Sequence, residues 1–263
     1  MVGLKHPLSL ATLEPASLAG FTVEHHATIG STNDRALELA RQGQGQTWVV
    51  ADQQQGGRGR SGRNWSSPSG NFYASLSLVD PCAMAVSPQL SFVAGVAIHD
   101  AIQTLTGCGN RLAIKWPNDL LLDGAKLSGL LLEGGSSGGV FVMTVGIGLN
   151  LVTHPADTPY RATNLAEAGF AVARNDVFAA LCNSFRHGLE LWNKGQGFEA
   201  IRSAWLQRAA FLNERITIAS ANQPQQGIFE TLDPHGRLVL ATDQGRTWVD
   251  AGDLYPLHHD FGS

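Results

Sequence analysis

Apolar and polar positions change their period several times along the 263-residue chain, and each change predicts an element. "FTVEHHATI" (21–29) alternates and reads as a strand. "STNDRALELARQG" follows, with a capping spacing from Ser31 to Asp34 and a stop at Gly43, the signature of a short helix. "TWVVADQ" (47–53) and "NFYASLSLV" (71–79) are buried-strand runs. "SPQLSFVAGVAIHDAIQTLTG" carries apolar residues at helical spacing up to Gly107 and predicts the main long helix. The stretch from Arg111 to Leu151 predicts successive strands, with Asp123-Gly124 and the Gly-Ser cluster 134–139 as hairpin turns. "NDVFAALCNSFRHGLELW" and "FEAIRSAWLQRAAF" are amphipathic helices. From about residue 214 the texture changes to short strands and turns ("RITIAS", "QGIFETLD", "GRLVLAT", "GRTWVDAGDL"), which suits a small β-barrel. The expected organisation is a main domain over 1–213 and a small one over 214–263.

Composition narrows the class. Hydrophobic residues are 43% and charged residues 15%, which fits a folded globular chain. The net charge of -4 argues against bulk electrostatic binding to nucleic acid. Cys82, Cys108 and Cys182 form neither a disulfide framework nor a zinc pattern, so a reducing compartment is expected. The opening "MVGLKHPLSLATLEP" has no secretory pattern, and no run of about 18 apolar residues stands out. The expectation is a cytoplasmic protein with no membrane partner. No histidine shows metal-ligand spacing, the pair His258–His259 included, and no metal-binding residue is assigned.

One loop concentrates the chemistry. In "ADQQQGGRGRSGRNW" (51–65), Gly57, Gly59 and Gly62 have the spacing of a dinucleotide fingerprint. That reading requires a helix after the glycines, but "RNWSSPSGN" holds Pro68, Gly70 and three serines and is too short for a crossover. The flanking strands are therefore expected to pair antiparallel. What remains is a glycine-rich loop with Arg58, Arg60 and Arg63, three of the chain's 18 basic side chains within six positions. Glycine allows close backbone approach, and guanidinium forks fit carboxylate and phosphate oxygens. From composition alone a solvated surface loop is equally consistent.

Four segments in order change that balance: "GSTND" (30–34), "GRGRSGRNW" (57–65), "KWPNDLLLDGAKLSGLLLE" (115–133) and "GIGLN" (146–150). Together they resemble the biotin protein ligase family, in a form without an N-terminal DNA-binding domain, since only about thirty residues precede "STND". The resemblance spans about residues 22 to 150, and the tail resembles that family's small C-terminal domain. It implies an α+β fold, a mixed and mainly antiparallel sheet flanked by helices, of the class II synthetase-like biotin/lipoate ligase type, with an SH3-like β-barrel. It implies ATP-dependent conversion of biotin to biotinyl-5′-AMP and transfer to a lysine of a biotin carboxyl carrier protein, with Mg²⁺ assisting and a homodimer as one assembly.

The resemblance also assigns roles that the residues alone leave open. Ser31, Thr32 and Asn33 are adequately explained as a helix cap, and the family adds contact with the biotin ureido ring. Gln54 would bind the biotin head group. Gly57, Arg58, Gly59 and Arg60 would grip biotin, with Arg58 and Arg60 as anion clamps and Arg63 assisting on the nucleotide side. Lys126 would be the catalytic lysine beside Arg60, and Gly129 would admit close backbone approach. Lys115, Asn118, Asp119, Trp65 and Asn150 fall on the nucleotide side, Asp119 beside Mg²⁺. The loop's glycines make it costly to order, so it should close on an anionic ligand. Lipoate ligases share the chemistry but lack the G-R-G-R-x-G-R-x-W loop. A repressor would need a DNA reader, and a non-catalytic binding module would not need Lys126.

Overall fold

The computed structural model describes residues 18–219 and 224–256. The opening stretch and the His258–His259 pair lie outside them. Seven strands form the main sheet: β1 (Thr22–His26), β2 (Thr47–Ala51), β3 (Phe72–Val79), β4 (Leu112–Lys115), β5 (Asp119–Leu122), β6 (Ala125–Ser137) and β7 (Val140–Leu149). Their order is β1-β2-β3-β7-β6-β5-β4. Only β1 and β2 pair parallel, and β2 pairs antiparallel with β3, as the short glycine loop between them requires.

Helix α1 (Thr32–Arg41) crosses one face, over β3 and β7. Helices α2 (Leu90–Thr106), α3 (Arg174–Trp192) and α4 (Phe198–Leu206) cover the other. The segment Met84–Thr106 is long and apolar enough to cross a membrane by length and composition alone. Yet 67% of its apolar window is buried inside the protein, so here it is the core helix. α2 stops at Gly107, whose φ of 60° suits glycine.

The second sheet has the order β11-β10-β9-β8-β12, from β8 (Arg215–Ala219), β9 (Gln225–Leu232), β10 (Leu238–Thr242), β11 (Gly245–Val249) and β12 (Asp253–Pro256). All its pairings are antiparallel, in the SH3-like manner. It shares one core with the main sheet: Trp205 of α4 lies 6.4 Å from Phe229 of β9, and buried Trp116 donates to the Gly236 carbonyl at 3.4 Å.

One predicted turn contracts. The Gly-Ser cluster 134–139 was expected to reverse the chain throughout, but β6 runs on to Ser137, leaving only Gly138-Gly139 as the turn. A Cβ on Gly134 would come within 2.7 Å of Met143 on β7, so this glycine serves close cross-strand packing.

Candidate active site

The site begins at the start of α1. Ser31 caps the helix with extended backbone, its hydroxyl accepting from Asp34 N at 3.4 Å. The cap leaves Thr32 and Asn33 buried against the sheet. Two glycines of β7 make room for what lies above them. A Cβ on Gly146 would sit 2.1 Å from Asn33 Oδ1, and one on Gly148 would sit 2.5 Å from the Trp65 indole. Gly148 faces Gly129 of β6 in register, and Gly129 also lies beneath Trp65, with a built Cβ 3.0 Å from the ring. The paired glycines form a flat floor on which the indole rests. Neither has a positive φ, so Gly148→Ala costs sterics and not backbone strain. We expect this variant to weaken ligand binding at least tenfold, about 1.4 kcal/mol, by lifting Trp65. Calorimetric titration with biotin checks it, and unchanged affinity would remove the floor from the site.

Polar side chains from four segments join in one row. Gln54 Oε1 accepts from Thr32 N at 2.8 Å and meets Thr32 Oγ1 at 3.0 Å. Thr32 Oγ1 lies 2.7 Å from Ser75 Oγ, which lies 2.6 Å from Asn33 Oδ1. Gln54 Nε2 donates to Ser67 Oγ, which donates to the Trp65 carbonyl. Asn33 Nδ2 donates to Glu133 Oε2 at 2.7 Å. Sequence reasoning missed Ser67, Ser75 and Glu133. For Ser75 a signal existed, since Ser75 and Ser77 are hydroxyls two apart in an otherwise apolar strand.

The loop is tied across its own neck: Gly59 N donates to Arg63 O at 2.7 Å and Trp65 N to Gly57 O at 3.0 Å. Its three arginines differ. Arg58 donates from Nε and Nη2 to Glu133, from Nη1 and Nη2 to Asp34, and from Nη1 to Ser31 Oγ. All five N–H groups are engaged, so as placed Arg58 has none left for a ligand anion. Asp34 and then Glu133 hold its proton more firmly than usual. The expected clamp is a brace in this structure. Arg60 instead reaches neutral oxygens, Asn118 Oδ1 at 3.1 Å and the Gly252 carbonyl at 3.3 Å, with Asp253 at 3.8 Å. Arg63 is half exposed and pairs with Asp253 at 3.1 Å.

Lys126, the second residue of β6, holds its ammonium 2.7 Å from Asp119 Oδ1. Lys115 stands 3.5 Å from the same carboxylate. Burial pushes the Asp119 carboxyl up, but the two ammonium groups outweigh it and hold it below the ordinary range. The rings of Trp65 and Tyr160 lie 5.5 and 5.1 Å from the Lys126 ammonium, and Tyr255 of the small sheet lies 5.6 Å from Lys115. Asn118 Nδ2 is turned to the Leu130 carbonyl. Asn150 is buried, with Nδ2 donating to Thr163 O. Together with the backbone bonds between Lys126 and Arg161 and Thr163, it holds the strap that carries Tyr160. Thus Asn150 supports the cleft through that strap.

The cleft among Arg60, Arg63, Trp65, Lys126 and Tyr160 measures about 70 Å³, room for two or three waters and not for a nucleotide. A larger cavity of about 770 Å³ meets it at Arg60, Asn118 and Leu130, reaches Glu133, and extends against Phe92, Trp116 and Gly236 on the side away from Lys126.

The family model for the biotin/lipoate A/B protein ligase family matches residues 26–150, and that for the biotin protein ligase C terminal domain matches 211–255. The chain is 40% identical to a biotin–[acetyl-CoA-carboxylase] ligase of Paracoccus denitrificans over 87% of this chain and 98% of that one. It is 30% identical to the bifunctional ligase/repressor BirA of Escherichia coli, over 91% of this chain and 76% of the other. In structure it resembles the biotin protein ligase of Aquifex aeolicus in complex with biotin and ATP, with a TM-score of 0.76, 26% identity, and 89% and 97% of the two chains covered. By sequence, by the order of its motifs and by both sheets, the chain belongs to the biotin protein ligases of the biotin/lipoate A/B protein ligase family.

Proposed function

We propose that the chain joins biotin to ATP, giving biotinyl-5′-AMP and pyrophosphate, and then passes the biotinyl group to a lysine of the biotin carboxyl carrier protein of acetyl-CoA carboxylase. The observation that carries this reading is that all four sequence motifs meet side by side: Asn33 lies on Gly146, Trp65 on Gly148 and Gly129, and the Lys126 ammonium 5.5 Å from the Trp65 ring. In the first step a biotin carboxylate oxygen attacks the α-phosphorus and the bond to pyrophosphate breaks. Both reactants are anions, so fixed positive charge lowers the barrier. Lys126 and Arg60 are the groups we assign to that task. In the second step the carrier lysine attacks the acyl carbon and AMP leaves with the electron pair of the broken bond. Trp65 and Tyr160 shield the mixed anhydride from water.

Ser31, Thr32, Asn33 and Gln54 are assigned to the ureido end and Gly57, Gly59 and Gly129 to close backbone approach. Lys115, Asn118, Asp119 and Arg63 are assigned to the nucleotide side. Asp119 already faces two ammonium groups, which supports Mg²⁺ arriving on ATP and not residing in the protein. We keep a ligase domain over 1–213 and a small domain over 214–263. Free Cys82, Cys108 and Cys182 support a cytoplasmic setting, and the charge of -4 supports the absence of a nucleic-acid partner. β5 covers β6 only to Gly129 while β6 continues to Ser137, which supports a homodimer through that sheet edge.

Pyrophosphate release should require biotin, ATP and Mg²⁺, stop on chelation, and fall at least tenfold when lipoate or octanoate replaces biotin. Equal turnover with lipoate would move the assignment to the sister branch.

A further inference from the structure

The row Gln54 Oε1, Thr32 Oγ1, Ser75 Oγ and Asn33 Oδ1 has three close oxygen–oxygen gaps, of 3.0, 2.7 and 2.6 Å. The two hydroxyls bring only two protons to those three gaps. One gap therefore always lacks a proton, and the row is short of donors. Turning the Asn33 amide over would cure this: Nδ2 would donate to Ser75, Ser75 to Thr32, and Thr32 to Gln54. The neighbour on the far side of the amide prevents the turn. Asn33 Nδ2 donates to Glu133 Oε2 at 2.7 Å, and a turned amide would bring its carbonyl oxygen against that carboxylate instead. Glu133 is itself fixed by Arg58, through Nε at 3.0 Å and Nη2 at 2.8 Å. Gln54 is locked likewise, because its Oε1 accepts from Thr32 N.

We propose that Glu133 is a positioning residue which, braced by Arg58, holds the Asn33 amide oxygen toward Ser75 and so keeps the head-group subsite an acceptor-rich one that selects a ring carrying N–H donors. A cyclic urea carries two such donors, and their arrival supplies the protons that the row lacks. The inference deepens the biotin reading and rests on it. It also explains why Arg58 is engaged at every N–H, since its task is to hold Glu133 and the cap of α1 together while Arg60 remains available for the anion.

The test is a double-mutant cycle on biotin affinity, read by calorimetry. Glu133→Gln replaces the carboxylate with an amide whose Nε2 can donate to a turned Asn33, so the main barrier to turning is removed and only the long contact of Asn33 Nδ2 to the Leu131 carbonyl, 3.5 Å, remains. The Kd for biotin should rise at least tenfold, while the KM for ATP moves less than twofold. In an Asn33→Ala background, with no amide to hold, the same substitution should change the Kd less than twofold. An equal rise in both backgrounds, or none in either, overturns the proposal, because Glu133 then does not act through Asn33. Should Glu133→Gln fail to fold, Glu133→Asp withdraws the carboxylate by one methylene and is read by the same cycle. If the unaltered chain takes up no biotin, the ligand reading fails and this proposal with it. An additive cycle on a chain that does bind biotin overturns this proposal alone.

Discussion

Lys126→Ala should slow adenylate formation about a hundredfold, the ~3 kcal/mol typical of a preorganised charge or donor aimed at the transition state. It should also destabilise the fold. A lysine facing an open ligand cleft would leave little behind when removed. The structure reverses this, since the ammonium neutralises Asp119, whose side chain is only 11% exposed. Truncation leaves that carboxylate to Lys115 at 3.5 Å, on the order of 2 kcal/mol less well satisfied. The two effects separate in one further variant. Adding Asp119→Asn removes the stranded charge and should restore the melting temperature, while the rate stays low because the cation is still missing. Single-turnover pyrophosphate release and thermal melting on the same samples decide it. A wild-type rate in Lys126→Ala would return the lysine to a structural ion pair. Recovery of the rate together with stability would show that the loss was one of folding.

How much of this was legible beforehand depends on sequence separation. The Ser31 cap, the Gly107 stop and the antiparallel pairing of β2 with β3 are local, and spacing or loop length alone dictates them. So is the change of texture near residue 214, because short strands and turns announce themselves residue by residue. The parts that were not legible are long-range. Arg58 and Glu133 lie 75 positions apart, and no periodicity says that they meet. The glycines of "GIGLN" were visible as a motif, but their purpose depends on the Gly129–Gly148 register and on Trp65 folding back over it. The Gly-Ser cluster misled because glycine serves turns and close packing equally well, and only Met143 across the strand decides for Gly134. Composition likewise grouped Arg58, Arg60 and Arg63 as three equivalent cations, whereas their partners make one a brace, one available and one a surface contact.

That difference sets the expected behaviour of Arg60→Gly. The guanidinium of Arg60 touches only neutral oxygens at hydrogen-bond distance, on Asn118 and Gly252, with Asp253 farther off at 3.8 Å. Moving it to the phosphate of biotinyl-5′-AMP therefore breaks weak contacts and makes a charge-assisted one, worth roughly 1.5–3 kcal/mol. We expect its removal to raise the escape rate of the adenylate by about 10- to 150-fold, the same energy expressed as a rate ratio. Lys126, the other charge assigned to the activation step, remains in place, so activation of biotin should slow but continue while retention fails. The released mixed anhydride would then acylate exposed lysines on bystander proteins. The measurement is biotin transfer to serum albumin by Arg60→Gly and by the unaltered chain, beside transfer to a carrier domain in parallel reactions. Albumin labelling should appear with the variant while carrier labelling persists. Loss of carrier labelling without gain on albumin would show that bond formation cannot proceed on Lys126 alone, and the contrast with Arg58 would then separate an indispensable catalytic arginine from a brace and not a retaining one.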